Sequence, residues 1–209
     1  MSGLIRRDID LLEQNSGLPR ESLKGLLTHL FSPDAEDDRQ YLYKKARDTA
    51  AKTFKNKVYL RGLIEFTNYC RNNCYYCGIR AGNKEASRYR LTQEQILDCC
   101  REGYALGLHT FVLQGGEDPG CSAQHIASLV SAIKETFPDC ALTLSVGEHS
   151  HEDYVLWHNA GADRFLLRHE TADEGHYRRL HPESLSLAHR MKCLYDLKSI
   201  GYQSGAGFM

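Results

Sequence analysis

No stretch of about 18 apolar residues occurs in this sequence, so nothing in it reads as a membrane-spanning helix. The N-terminus, Met1-Ser-Gly-Leu-Ile-Arg-Arg7, lacks the apolar stretch and small-residue cleavage site of a secretion signal. Net charge is nearly absent as well: 26 Lys and Arg against 27 Asp and Glu leave −1. That gives no electrostatic case for nucleic acid or a charged membrane surface. A cytoplasmic chain is the expectation. Another absence is more telling. Cys70, Cys74 and Cys77 stand at C-x3-C-x2-C spacing, yet no Cys or His follows at the two- or three-residue spacing that would close a zinc site.

The 8 cysteines, in a reducing compartment, point to a metal site rather than disulfides. Soft thiolates select iron–sulfur clusters, zinc or Cu(I). An ordinary [4Fe-4S] cluster takes four cysteines, and the stretch from Cys70 to Cys77 offers three. The economical reading is a cubane with one iron lacking a protein ligand, where something can be bound and reduced. A zinc-binding structural module and a cluster that only carries electrons are the rivals. Cys99, Cys100, Cys121, Cys140 and Cys193 read as small apolar fillers.

Residues 1–56 look helical and charged, an N-terminal extension without evident chemistry. Leu4, Ile5, Ile9 and Leu12 recur near helical spacing, as do Leu23, Leu26, Leu27 and Leu30. Pro33 is expected to close that second segment, and Tyr41–Phe54 to form a third helix. From residue 57 to 209 strands and helices alternate. Strands are expected at Val58–Phe66, Thr110–Gln114, Ala141–Val146 and Arg164–Arg168, and a fifth begins at Ser204 and runs toward Met209. Thr92, Ser122 and Ser150 are helix caps; Gly161 and Gly201 end helices. Repeated βα units imply an α/β fold with a parallel sheet and helical crossovers. A (β/α)8 barrel typically needs about 250 residues and eight strands. About five strands are counted here, so a partial barrel is expected, from a fragment or a truncated gene product.

Polar residues collect at the strand ends, where barrels build active sites. Glu65 and Thr67 share a strand face, as do Thr143 and Ser145, and Arg168 and Glu170. Gln114 and Glu117 flank Gly115-Gly116. Paired glycines let backbone approach a ligand, and a carboxylate suits an ammonium. Glu170 suits hydroxyls as a bidentate acceptor, and Arg168 or Arg190 suits an anion.

The cysteine spacing, with Tyr76 just before the third cysteine, resembles the signature of the radical S-adenosylmethionine (SAM) superfamily. Gln114-Gly-Gly-Glu117 resembles that superfamily's motif after strand two. The resemblance implies a TIM-type (β/α) barrel, a [4Fe-4S] cluster on Cys70, Cys74 and Cys77, and SAM on the open iron. One electron would then cleave SAM to a 5′-deoxyadenosyl radical. It further implies SAM contacts from Tyr76, Gln114, Gly115, Gly116, Glu117, Glu170 and Arg190. Longer stretches, among them Ile64-Glu-Phe-Thr-Asn68, Gly161 to Thr171, Arg178 to Pro182 and Gly201 to Met209, resemble the HydE family of [FeFe]-hydrogenase maturases. Within the biotin synthase-like group, methylornithine synthase is the nearer alternative and biotin synthase, which shares the cysteine motif, the more distant one. It implies a small-molecule or organometallic iron–cysteine substrate against Thr143, Ser145 and Arg168. It also implies an electron donor such as ferredoxin or flavodoxin, and other hydrogenase maturases as partners.

Overall fold

The computed structural model describes residues 2–14, 17–55 and 57–209. It divides into two compact units, the second starting at Leu60. The first holds helices α1 (Ser2–Glu13), α2 (Arg20–Leu30) and α3 (Glu36–Phe54). Ile9 and Leu26 are its buried apolar anchors. Tyr41 donates to Asp10 at 2.7 Å and Lys45 to Glu13 at 2.7 Å, tying α3 to α1. Helix α3 starts five residues before the expected Tyr41. Pro33 does not merely end the preceding segment: it opens a 3-10 turn, Pro33–Ala35, that leads straight into α3. Proline suits a first helical turn because its missing N–H is not needed there. Glu36, Asp37 and Asp38 then place negative charge at the positive end of the helix dipole.

The second unit is one sheet of five parallel strands in the order β1-β2-β3-β4-β5. Its strands are β1 (Gly62–Thr67), β2 (Thr110–Gly115), β3 (Ala141–Ser145), β4 (Arg164–Leu166) and β5 (Gln203–Gly205). Helices α4 (Gln93–Ala105), α5 (Ala123–Thr136), α6 (His151–Asn159), α7 (Glu174–Leu180) and α8 (Leu187–Ile200) connect or follow them. Thr92, Ser122 and Ser150 cap α4, α5 and α6 through their side-chain oxygens, as the sequence led one to expect. Four strands are shorter than expected, β3 by its last residue alone. Val58, Tyr59 and Leu60 are exposed and precede β1, because no neighbouring strand reaches them. β4 stops at Leu166, before Arg168, and β5 at Gly205, before Met209. Helix α7 was not foreseen, since its seven residues carry too little apolar periodicity to stand out.

One face of the sheet is apolar. Ile64, Phe66, Phe111, Leu113, Leu142, Leu144 and Phe165 pack against Ile96, Val130, Ile133, Tyr154, Trp157 and Leu197 from the helices. Cys100, Cys140 and Cys193 are buried in this core as small fillers, whereas Cys99 is exposed. The other face carries two lateral rows across the strands. Leu63, Val112, Thr143, Arg164 and Gln203 are in register, and one step toward the strand ends Glu65, Gln114 and Ser145 are in register. The strand period of two thus puts the apolar residues under the helices and the polar ones over what would be a barrel lumen.

Candidate active site

The cysteine loop, residues 68–92, leaves the end of β1 and returns to the N-terminus of α4. Its own backbone folds it tightly: Cys77 N–H donates to Cys74 O at 3.1 Å, and Ala81 N–H to Asn72 O at 2.8 Å. Arg88 staples it from within, donating to the carbonyls of Ile79 (2.8 Å), Arg80 (2.8 Å) and Asn83 (3.0 Å) and to that of Asn68. A planar guanidinium with five donors suits this task.

Where the loop leaves the sheet, Asp118 gathers donors from Thr67, Arg90 and Gly120. Thr67 Oγ1 donates to it at 2.7 Å, Arg90 Nε at 2.6 Å, Arg90 Nη2 at 2.8 Å and Gly120 N–H at 2.8 Å. The Arg90 guanidinium also stands 3.8 Å over the Tyr69 ring. Burial alone would raise the Asp118 pKa; the bonds from Arg90, Thr67 and Gly120 outweigh it and hold the carboxyl well below the usual range. Gly116 closes the same junction. A Cβ there would fall 2.3 Å from Tyr69 O and 2.6 Å from Cys70 Cβ, so only glycine lets the turn after β2 press on the cysteine loop.

Cys70, Cys74 and Cys77 are half-buried, and none is in a disulfide. Burial raises the Cys70 thiol pKa and pushes that of Cys74 up to about 11. As a donor set, three soft, free thiolates within eight residues fit an iron–sulfur cluster.

A cavity of about 400 Å³ opens beside the loop, over the strand ends. Of the residues expected at a site, Tyr76, Cys77, Gln114, Gly115, Ser145, Arg168, Glu170 and Arg190 line it. Glu170 is 4% exposed and has positive φ (63°), which turns its side chain off the line of β4. Its Oε1 lies 3.4 Å from Tyr76 Oη and 3.4 Å from Arg168 Nε, while its buried Oε2 has no partner. Tyr76 Oη also lies 3.3 Å from His181 Nε2. Burial first, then the Glu170 charge, raises the Tyr76 pKa, so the phenol keeps its proton. Arg190 is not a surface residue. It is buried, its Nε is paired with a Glu148 oxygen, and its Nη1 donates to Arg168 O at 3.0 Å. Across the lumen side, Gln114 Nε2 donates to Glu65 Oε1 at 3.1 Å.

Cys70, Cys74, Gly116, Glu117 and Thr143 do not line this cavity. Thr143 lies one register step deeper, where its buried hydroxyl has no partner. Glu117 is 6% exposed, and its carboxylate is engaged by protein: Arg71 Nη2 at 2.9 Å, Arg71 Nε at 3.0 Å and the Glu148 N–H at 2.8 Å. Asp118, Arg90, Arg88, Glu148 and His181 are the residues that sequence reasoning missed. Only Asp118, beside Gly-Gly-Glu, and His181, beside Pro182, sat in noticed stretches; the others give no local signal, because their partners are distant in the chain.

The Radical SAM superfamily model matches residues 64–209. The [FeFe] hydrogenase maturase subunit HydE of Thermotoga maritima is 42% identical over 190 residues, covering 91% of this chain and 54% of that protein. 3-Methylornithine synthase of Methanosarcina acetivorans is 31% identical over 181 residues, covering 86% of this chain and 50% of that protein. The crystal structure of methylornithine synthase superposes with a TM-score of 0.83 at 28% identity, over 96% of this chain and 58% of that one. HydG, a maturase of the [FeFe]-hydrogenase, superposes with a TM-score of 0.85 at 23% identity, over 100% of this chain and 47% of that one, and so shares the fold. The chain spans about half the length of the curated relatives it matches.

Proposed function

Because the chain belongs to the Radical SAM superfamily, we propose that its cysteine loop and cavity hold the [4Fe-4S] cluster and SAM that enzymes of this superfamily use. Cys70, Cys74 and Cys77 are the cluster ligands in this reading. With an electron donor such as a ferredoxin or flavodoxin, the bound pair supplies one-electron cleavage of SAM to methionine and a 5′-deoxyadenosyl radical. The observation that carries the reading is Glu170: a buried carboxylate oxygen without a partner, on the cavity that Cys77 also lines. A buried acceptor left unpaired is costly, and ribose hydroxyls supply the missing donors. Tyr76 contributes beside the adenosine. The guanidinium of Arg190 receives the SAM carboxylate, and the backbone of Gln114 to Gly116 approaches its amino group.

The finer reading is a HydE-like role in assembling the hydrogenase H-cluster. It is favoured by the 42% identity to HydE against 31% to methylornithine synthase. Ser145 and Arg168 then face an iron–cysteine substrate, and the unpaired Thr143 hydroxyl lies one register step below them. The first test is anaerobic reconstitution with iron and sulfide, then SAM and dithionite. Formation of 5′-deoxyadenosine and methionine is expected, and a cluster that stays redox-active without cleaving SAM would leave an electron carrier. The second test is a hydrogenase maturation assay with the chain in its full native context. Release of 3-methylornithine instead would move the protein to the other relative's activity.

A further inference from the structure

Arg190 reaches the cavity from helix α8, and a long side chain of that kind needs holding if it is to meet a ligand in one geometry. We propose that Glu148, which no sequence motif singles out, is the positioning residue that presents Arg190 to a carboxylate. This rests on the SAM reading above and assigns the anchor behind its anion-binding end.

Glu148 stands three residues beyond the end of β3 and is 4% exposed. One of its oxygens takes the Arg190 Nε, and the other lies 3.6 Å from His189 Nε2. Its backbone is fixed from two sides. The Glu148 N–H donates to Glu117 Oε1 at 2.8 Å, and its carbonyl accepts from Arg71 Nη2 at 3.4 Å. Gly147 before it has φ +85°, and a Cβ there would fall 2.2 Å from Glu117 Cγ, so the bend that aims Glu148 inward requires glycine. Arg190 is thus gripped at Nε by Glu148 and at Nη1 by the Arg168 carbonyl, with the Tyr177 hydroxyl close beside it. Two of the guanidinium's three nitrogens are held by the protein, and the side chain still lines the cavity. A carboxylate is a ligand group that a buried, fixed guanidinium takes through charge-assisted hydrogen bonds.

Charge supports the same assignment. Glu148 neutralises Arg190, and Glu117 neutralises Arg71, so the region is close to balanced before a ligand enters. A zwitterionic amino-acid end keeps it so, whereas a polyanion does not. Arg71, next to Cys70 in sequence, is thereby linked to the cavity wall: it pairs with Glu117, Glu117 accepts the Glu148 N–H, and Glu148 pairs with Arg190.

The test measures SAM binding by calorimetry on the full-length, cluster-loaded protein, with iron content and melting temperature recorded in parallel. E148Q should weaken SAM about tenfold while iron content is unchanged. E148D keeps the charge and shortens the reach; it should lie between, and it serves if E148Q does not fold. Decarboxylated SAM is the discriminating probe: neither substitution should weaken it further, because the group that Arg190 meets is gone. In R190K, adding E148Q should cost nothing more, since Glu148 acts only through Arg190. Equal losses for SAM and decarboxylated SAM, or additive losses in the double variant, would overturn the positioning role and leave Glu148 as a structural ion-pair partner. SAM affinity unchanged in R190K would instead overturn the carboxylate contact itself.

Discussion

Glu117 and Glu170 are both buried carboxylates near an arginine, yet their surroundings differ. Glu117 is satisfied by Arg71 and a backbone N–H, whereas Glu170 keeps one oxygen unpaired inside a cavity. Replacing each by glutamine should therefore have different effects. Glu170→Gln removes charge-assisted bonds to a ligand, each worth roughly 1.5–3 kcal/mol, so SAM affinity should fall about ten- to hundredfold at little cost in melting temperature. Glu117→Gln should chiefly lower the melting temperature and move affinity less. Calorimetry and thermal unfolding of both variants check this; the reverse pattern would return Glu117 to the ligand. Among the cysteines, Cys74→Ala should abolish cluster assembly, and Cys121→Ala should not. Iron analysis should then read near zero against about four per chain, the number in a cubane.

At the scale of elements, side-chain caps set where several helices begin. Ser150 accepts the Asp153 N–H at 3.2 Å, and the Asp153 carboxylate answers toward the Ser150 N–H at 3.4 Å. This fixes the start of α6, which carries Tyr154 and Trp157 into the core. Ser150→Ala should cost about 1 kcal/mol, lowering the melting temperature by about 2–4 °C for a domain of this size, with SAM affinity retained. Glycine at 116 is more demanding. Gly116→Ala forces a side chain into the Tyr69 carbonyl and Cys70 Cβ, so the turn after β2 and the cysteine loop cannot keep their contact. Cluster content and SAM affinity should fall together in that variant. Loss of SAM affinity with full iron content would show that the glycine serves only the ligand.

For the molecule as a whole, acid is the informative stress. Asp118 binds β1, the cysteine loop and the turn after β2 into one piece, and its folded pKa is depressed by Arg90, Thr67 and Gly120. A depressed carboxyl contributes stability that is fully present above its unfolded value, about 3.9, and is lost as pH falls from there through the folded value. Stability measured by urea unfolding should thus decline steeply below about pH 4, and Asp118→Asn should be less stable at neutral pH with a flatter acid limb. An unchanged slope would place the acid sensitivity elsewhere. The sheet itself has β1 and β5 at its two edges, with a polar lumen face between them. Unpaired edges template association, so the 209-residue chain should self-associate as concentration rises, read by sedimentation; a monomer at all concentrations would show the edges to be protected.

The sequence by itself determined the parts that depend on neighbours along the chain. Alternation of apolar and polar residues set the strands and their two faces, Thr92, Ser122 and Ser150 set helix starts, and eight residues from Cys70 to Cys77 proposed a three-thiolate centre. These are local rules, with periods of two or 3.6 residues and caps three residues apart. Strand ends were less legible: the regular ladder of β4 stops at Leu166, yet the N–H groups of Leu167, His169 and Glu170 still donate to Gly205 and Gly207, and Glu170 takes a positive φ. Tertiary structure alone decided which charges meet. Arg71 and Glu117 are separated by 46 residues, Arg190 and Glu148 by 42, and Arg90 and Asp118 by 28. Such pairs leave no periodic trace, since only the folding of successive βα units onto one sheet end brings their side chains within hydrogen-bond reach.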